Sequence, residues 1–388
     1  MKTYKQILIF LIIFANLVLS NNNISIRIMA TANVHNETDP CGWKKKPLGG
    51  LARKATVLDQ QSAGIDNFYV VDAGNLFFKK ESLDPGLTFE IAQVNSEIIL
   101  NSFNSMGCTA FSPGEFDFAA GLNYLLELEK NANFPFISCN IFTEQANQRV
   151  FDKYLLDVKE DYTIAFIGLT SVFSRDGISV GNPLDNLKIA LEELKNKSDI
   201  NVLLFHGNET DLSAIYNENL NIDLIVRSKD RKRSSDGGTK IPTFSLGDRG
   251  KIVCQFDLLI EDINERFTDV AWCDRTIDHF TTRLEKMKKG DLMADLKDLY
   301  QDNPATLQRI ENYENQIILA NQRMENLVNS LVYEKIELGT SVNGRIDILQ
   351  IVDKGKEKIN IITGPQMEGP QMDSKGRIPG DPHHGHNH

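Results

Sequence analysis

The chain has 388 residues, and its 53 acidic side chains outnumber 42 basic ones for a formal net charge of −11. That balance excludes general nucleic-acid binding, which needs an electropositive face, while 41% hydrophobic residues can fill a sizeable core. Five scattered cysteines (Cys41, Cys108, Cys139, Cys254, Cys273) form no CxxC or CxxCH motif. Zinc-ribbon and c-type haem sites are thereby excluded, and one thiol is left over if the others pair.

In chain order, Lys2 and Lys5 precede an apolar run over residues 7–19, followed by polar residues 21–23. This reads as a secretory signal peptide over 1–20, too short for a membrane span. The expected protein is exported, periplasmic or extracellular, with no span after cleavage. Alternating Ile24, Ile26 and Ile28 predict a strand that opens into the polar stretch 30–53, which carries His35, Cys41, Lys44 to Lys46 and Gly49-Gly50. Residues 51–61 read as a helix, 67–72 as a strand and 89–105 as a helix. A short strand at 108–111 leads into Ser-Pro-Gly-Glu-Phe-Asp (112–117), and 121–130 is helical. Further strands are predicted at 136–140, 162–169, 201–205 (delivering His206), 223–226, 241–246 and 252–260, with helices at 186–196 and 212–216. Strands alternating with helices imply an α/β fold, and polar loops that follow strands would gather at one sheet edge.

From residue 278 the pattern changes. Residues 278–300 have apolar positions at helical spacing, and 307–332 carry a heptad: Ile310, Ile317, Met324 and Leu331, with Tyr313, Ala320 and Leu327. An antiparallel helical hairpin over 273–340 is expected, packing on its own domain or serving as an oligomer or partner surface. Residues 341–363 form a closing element, helix or strand pair, and 364–388 reads as a disordered His-rich tail.

The segments GGLARKATVLDQQ, VVDAGNLF, SPGEFDFAAG, FPFISCNIF, LLFHGNE, DLIVRSKDR and SLGDRGK occur in an order that resembles the 5′-nucleotidase-like (UshA-like) metallophosphoesterases of the calcineurin type. The resemblance spans residues 25–260. It implies a four-layered αββα sandwich over 24–272, holding two metal ions in the family. The family's second, nucleoside-binding domain is expected to be missing, with the helical hairpin and tail in its place. The likeness thins where the family does chemistry. Asp-x-His stands as Asn33-Val34-His35, the metal-bridging Asp as Asn75, and Gly-Asn-His-Glu puts Glu115 at the ligand Asn and Phe116 at the catalytic His. His206 fits the next His ligand, whereas Gly-His-x-His becomes Ser228-Lys229-Asp230-Arg231.

A two-metal site needs carboxylates and imidazoles to offset about four positive charges. Asn33, His35, Asn75, Glu115 and His206 would hold one divalent ion (Zn, Mn or Fe) rather than two, and Phe116 cannot donate a proton. Arg227, Lys229 and Arg231 form a basic loop suited to a small anionic ligand. Cys41, on a polar loop near His35, is a candidate nucleophile, redox group or soft ligand, against a disulfide or packed thiol; its PCGW context resembles a redox-active subgroup. The first expectation is a non-hydrolytic anion-binding or redox-associated protein. The rivals are a phosphoesterase with a rearranged mononuclear site and an assembly protein acting through the hairpin.

Overall fold

The computed structural model describes residues 23–42, 45–83, 89–238 and 240–364. The expected signal peptide, Lys44 and the tail from 365 onward lie outside them. Two sheets face one another. The first runs in the order β14 (Phe267–Asp269), β15 (Asn329–Glu337), β13 (Ile252–Ile260), β1 (Ile24–Thr31), β4 (Phe68–Asp72), β5 (Ala110–Phe111). The second runs β12 (Thr243–Ser245), β11 (Leu224–Ser228), β10 (Ile200–His206), β8 (Thr163–Thr170), β7 (Tyr154–Val158). Two small ladders complete the set, β2 (Pro40–Cys41) with β3 (Leu48–Gly49) and β6 (Ile141–Thr143) with β9 (Ile178–Val180).

The period-two alternation of each strand sorts its side chains between two cores. Ile26, Ile28 and Ala30 of β1 meet Ile164 and Phe166 of β8, and Val202 and Leu204 of β10, between the sheets. Met29 points the other way, into a core shared with α1 (Leu51–Ser62), α2 (Phe89–Ser105) and α3 (Leu122–Lys130). Ala165, Ile167 and Leu203 face α4 (Pro183–Leu194) and α5 (Glu209–Tyr216) on the opposite outside. The result is the αββα order expected, with each buried large side chain contributing about 1.5–3 kcal/mol.

The C-terminal third departs from the expected hairpin. Helices α6 (Val270–Met287) and α8 (Pro304–Glu325) do pack together around a turn of helix α7 (Leu296–Leu299). Arg323 lies over the Trp272 ring, while Phe280 meets Tyr313, so they run antiparallel. The heptad does not continue to residue 332, however. The helix stops at Glu325, and Asn329–Glu337 becomes β15, paired with β13 from Leu259↔Ser330 to Ile252↔Glu337 and with β14 in parallel. The hairpin is thus spliced between two strands of the first sheet. Tertiary pairing overrides the local helical period there: Leu331 is wholly buried between the sheets opposite Leu258. The closing element is a helix, α9 (Ile346–Thr363), laid against α2 and α1. Gly355 permits that contact, since a Cβ there would lie 2.2 Å from Ile98 Cδ1.

Strand ends and the candidate active site

β1, β4 and β5 run parallel, as do β8, β10, β11 and β12, so their C-terminal ends deliver loops to one region. Hydrogen bonding continues past the strand ends. Asn33 N–H donates to Gly74 O (2.9 Å), His35 N–H to Asn75 O (2.9 Å) and Asn36 N–H to Leu76 O (3.0 Å). These loops are backbone-strained: Asn33, His35, Asn36, Asn75, Lys229 and Arg249 all have positive φ without being glycine. Such conformations persist where the surroundings over-determine them, typically at functional sites. Gly114 supplies a close approach, because a Cβ would meet both Asn75 Oδ1 and His206 Nδ1 at 2.7 Å.

Asn33 acts as a cross-brace. Its Nδ2 donates to Asp230 O (3.1 Å) and Gly247 O (2.9 Å), and its Oδ1 accepts from Lys229 N–H (3.1 Å). Two carbonyl acceptors and one N–H donor match an amide and no other side chain of that size. Asn75 Oδ1 accepts from Phe116 N–H at 3.0 Å. Glu115, in a single turn of helix, takes the Lys229 ammonium on Oε2 at 2.9 Å, with the carboxylate side chain only 16% exposed.

The imidazoles are different. His206 is wholly buried at the end of β10, and its Nδ1 lies 2.7 Å from Ser228 Oγ, while Nε2 has no partner. His35 is buried too, and its Nδ1 is likewise without a partner. Burial pushes His206 down to about 3, helped by Lys229, His35 and Arg227. Burial also pushes His35 down to about 4, with the Phe78 backbone opposing and Arg231 adding. Both rings are therefore neutral near pH 7.

Of the basic loop, Arg227 is buried and committed, its Nε donating to Gly207 O (2.9 Å) and Nη1 pairing with Glu209 (2.7 Å). Arg231 is exposed and has no carboxylate partner among the described residues. Cys41 sits half-buried in the β2–β3 ladder, a free thiol; no hydrogen bond or ring contact joins it to either imidazole among the described residues. The other four cysteines are free and buried.

Three supports escaped the sequence reading. Ser228 orients His206. Asp117 gathers the N–H groups of Asn75, Leu76, Phe77 and Gly114 on one carboxylate. Lys54, buried under the Gly-Gly turn, donates to Thr31 Oγ1 (2.8 Å), which donates to Asp72 Oδ2 (2.7 Å); Asp72 also holds Gly74 N–H (2.9 Å). Burial pushes Lys54 down and Asp72 up, each pulling the other back. The adjacency of Asp117 to Gly114 in SPGEFD was a local signal; Lys54 gave none, since a lysine in a helix normally faces water.

No family model matches the chain. It is 28% identical to protein UshA of Escherichia coli over 176 residues, 42% of this chain and 30% of UshA. It is 28% identical to the 2′,3′-cyclic-nucleotide 2′-phosphodiesterase/3′-nucleotidase of Haemophilus influenzae over 141 residues, 36% of this chain and 22% of that protein. Among solved structures, the 5′-nucleotidase precursor from Thermus thermophilus superposes with a TM-score of 0.62 at 14% identity, covering 88% of this chain and 60% of its own. In sequence over part of its length, and in fold over most of it, the chain is similar to 5′-nucleotidase-like metallophosphoesterases. The calcineurin-like phosphoesterase YfkN from Bacillus subtilis adds a TM-score of 0.60 at 14% identity over 88% of this chain and 100% of its own. That share exceeds what residues 24–272 could supply, so the likeness in fold runs into the C-terminal third.

The resemblance implies metal at these strand ends, and most of the donor atoms there already have partners. The Asn33 amide is spent on backbone, Asn75 Oδ1 on Phe116 and Glu115 Oε2 on Lys229. His35 Nδ1 and His206 Nε2 are the buried ring nitrogens without a hydrogen-bond partner. Among the described residues no group of three or more His, Cys, Asp or Glu side chains comes together as a metal cage. No described helix is long and apolar enough to cross a membrane.

Proposed function

We propose that this superfamily member no longer carries a dinuclear hydrolytic centre and acts by binding a small anionic ligand at its strand ends. The Glu115–Lys229 ion pair carries the reading. Two residues that the resemblance sets at metal-ligand positions hold each other, and neutral Asn33 braces the Lys229 loop in place. The donors left over do not fit a pair of divalent ions: two neutral imidazoles cannot offset about four positive charges. The anion would be met by Arg231, since Arg227 is neutralised by Glu209 and Lys229 by Glu115. The N-terminal pattern supports export, to the periplasm or outside the cell. Cys41, half-buried and free, would serve a redox role if the protein has one.

A second reading is favoured by a specific observation, the two unpartnered imidazole nitrogens. It is a phosphoric-ester hydrolase with a mononuclear site on His35 and His206. The experiment that separates the two is hydrolysis of p-nitrophenyl phosphate and its bis-ester with Mn²⁺ or Zn²⁺ supplied, alongside phosphate binding followed by ³¹P NMR. Phosphate binding lost in Arg231→Ala, with no turnover above the blank, is expected. Turnover abolished by His206→Asn would establish the hydrolase instead.

A further inference from the structure

We infer that the helical hairpin is a self-association element: the acidic, apolar tip of one copy seats in the basic, aromatic groove along α6 of a second copy, and the reverse contact closes the pair. This is independent of what the strand ends bind. Beyond Thr276, α6 runs on to Met287 without fully burying another side chain. Beside it lies an open groove of about 830 Å³, lined by Trp272, Arg275, His279, Phe280, Arg283 and Lys286. Arg275 is neutralised by Asp236 at 2.9 Å. Arg283 is held by neutral partners, its Nε donating to His279 Nε2 (2.8 Å) and its Nη1 to Tyr313 Oη (3.2 Å). Among the described residues neither Arg283 nor Lys286 has a carboxylate partner, and besides Asp236 the lining holds one other carboxylate, Asp278. The groove thus offers aromatic surface with an excess of positive charge.

The turn that joins α6 to α8 is the complement of that groove. Leu292 and Met293 are adjacent and 68% and 92% exposed, and Leu299 is 41% exposed. Apolar side chains grouped in this way at a surface mark interaction sites. Asp291, Asp295, Asp298 and Asp302 stand exposed among them. The lysines nearby are engaged on their own hairpin: Lys288 on Leu292 O (2.9 Å), Lys289 over the Tyr300 ring and Lys297 facing Glu314. Aromatic, Met and Arg side chains are also what the cores of protein interfaces are enriched in. The occupant is a second copy because tip and groove lie on one hairpin and match in charge. From Arg275 to Lys286 the groove runs about 17 Å along α6 and ends beside the tip. Two hairpins overlapping antiparallel by that length set each tip against the other's groove. The contact is isologous, made twice about a two-fold axis.

The test is sedimentation equilibrium of the chain without its expected signal peptide, from about 1 to about 100 µM at low salt. EDTA is present so that the His-rich tail cannot bridge metal ions. Wild type is expected to form a concentration-dependent dimer. Arg283→Glu/Lys286→Glu makes groove and tip both acidic, and Asp298→Lys/Asp302→Lys makes both basic. Each variant alone should dissociate, its dimer Kd raised about tenfold or more, whereas an equimolar mixture of the two should pair, because both contacts then join opposite charges. Leu292→Ser/Met293→Ser should weaken the wild-type dimer as well. All six positions are exposed, and circular dichroism checks that each variant is folded. A wild type that stays monomeric at about 100 µM overturns the inference and leaves the groove to a different partner. So does a dimer that neither charge reversal disturbs, or a pair of folded, monomeric variants that fail to associate on mixing.

Discussion

His206 Nδ1 and Ser228 Oγ lie 2.7 Å apart, and the Ser228 proton goes to Ala73 O, so the serine fixes which face of the imidazole is a donor. In Ser228→Ala both the Nδ1–H and the Ala73 carbonyl lose their partner inside the protein. The expected loss is about 1–3 kcal/mol in urea denaturation, the cost of stranding buried polar groups. In wild type, ¹⁵N shifts of His206 should report a proton on Nδ1. A proton on Nε2 would contradict the deduced tautomer.

Burial holds His206 at about 3, below its ordinary 6.5. The unfolded chain therefore binds a proton that the folded chain refuses as pH falls below 6.5. The contribution of neutral His206 is present in full above pH 6.5 and is lost progressively as pH drops toward the folded value. Buried carboxylates such as Asp117, pushed up to about 6 by burial, act with the opposite sign, so the comparison must be differential. The stability of wild type relative to His206→Asn should fall by about 1.4 kcal/mol per pH unit on acidification below 6.5. A pH-independent difference would refute the buried neutral ring.

Restoring an aspartate at position 33 should not restore a metal centre by itself. A carboxylate has no N–H for Asp230 O or Gly247 O and would set its lone pairs against both carbonyls. Asn33→Asp is expected to destabilise the fold by about 2–3 kcal/mol and to loosen the Lys229 loop. Thermal denaturation and protease cleavage at 228–233 would measure this. An unchanged melting curve would mean that the brace carries little.

The cysteines should divide sharply in reactivity. Burial pushes Cys108, Cys139 and Cys254 up to about 12 and Cys273 up to about 11, and all four are covered, whereas Cys41 is half-exposed. Native protein should react with Ellman's reagent at about one thiol, absent in Cys41→Ser, and at all five when denatured. Fast labelling of a second cysteine would show that one of the cores opens.

Because β15 follows the helical hairpin and pairs along β13, truncation before residue 329 should fail as a design. It would leave residues 252–259 as an exposed apolar sheet edge. The shortened chain is expected to aggregate, while removal of the tail after residue 364 should leave the melting temperature unchanged. A soluble, native-like truncation ending at 272 would restore the hairpin as a separable unit.

The strand ends were readable because the information is local. An alternating run at residues 24–31, a continuous apolar run at 201–205 and breakers such as Asp72-Ala73-Gly74 mark where strands stop; His35, Asn75 and Glu115 fall just past such stops, and His206 closes β10. The αββα layering came through the family resemblance rather than from any single residue. What tertiary structure alone decided is pairing between distant positions. The segment after Glu325 continues a helical heptad on paper, yet β13 offers an edge, and inter-sheet burial of Leu331 outweighs the local period. A basic loop in sequence became a set of committed side chains, Arg227 on Glu209 and Lys229 on Glu115, because ion pairs depend on distances that a linear chain does not specify. Lys54 was invisible for the same reason: a buried ammonium is tolerated only where the fold brings Thr31 and Asp72 to meet it.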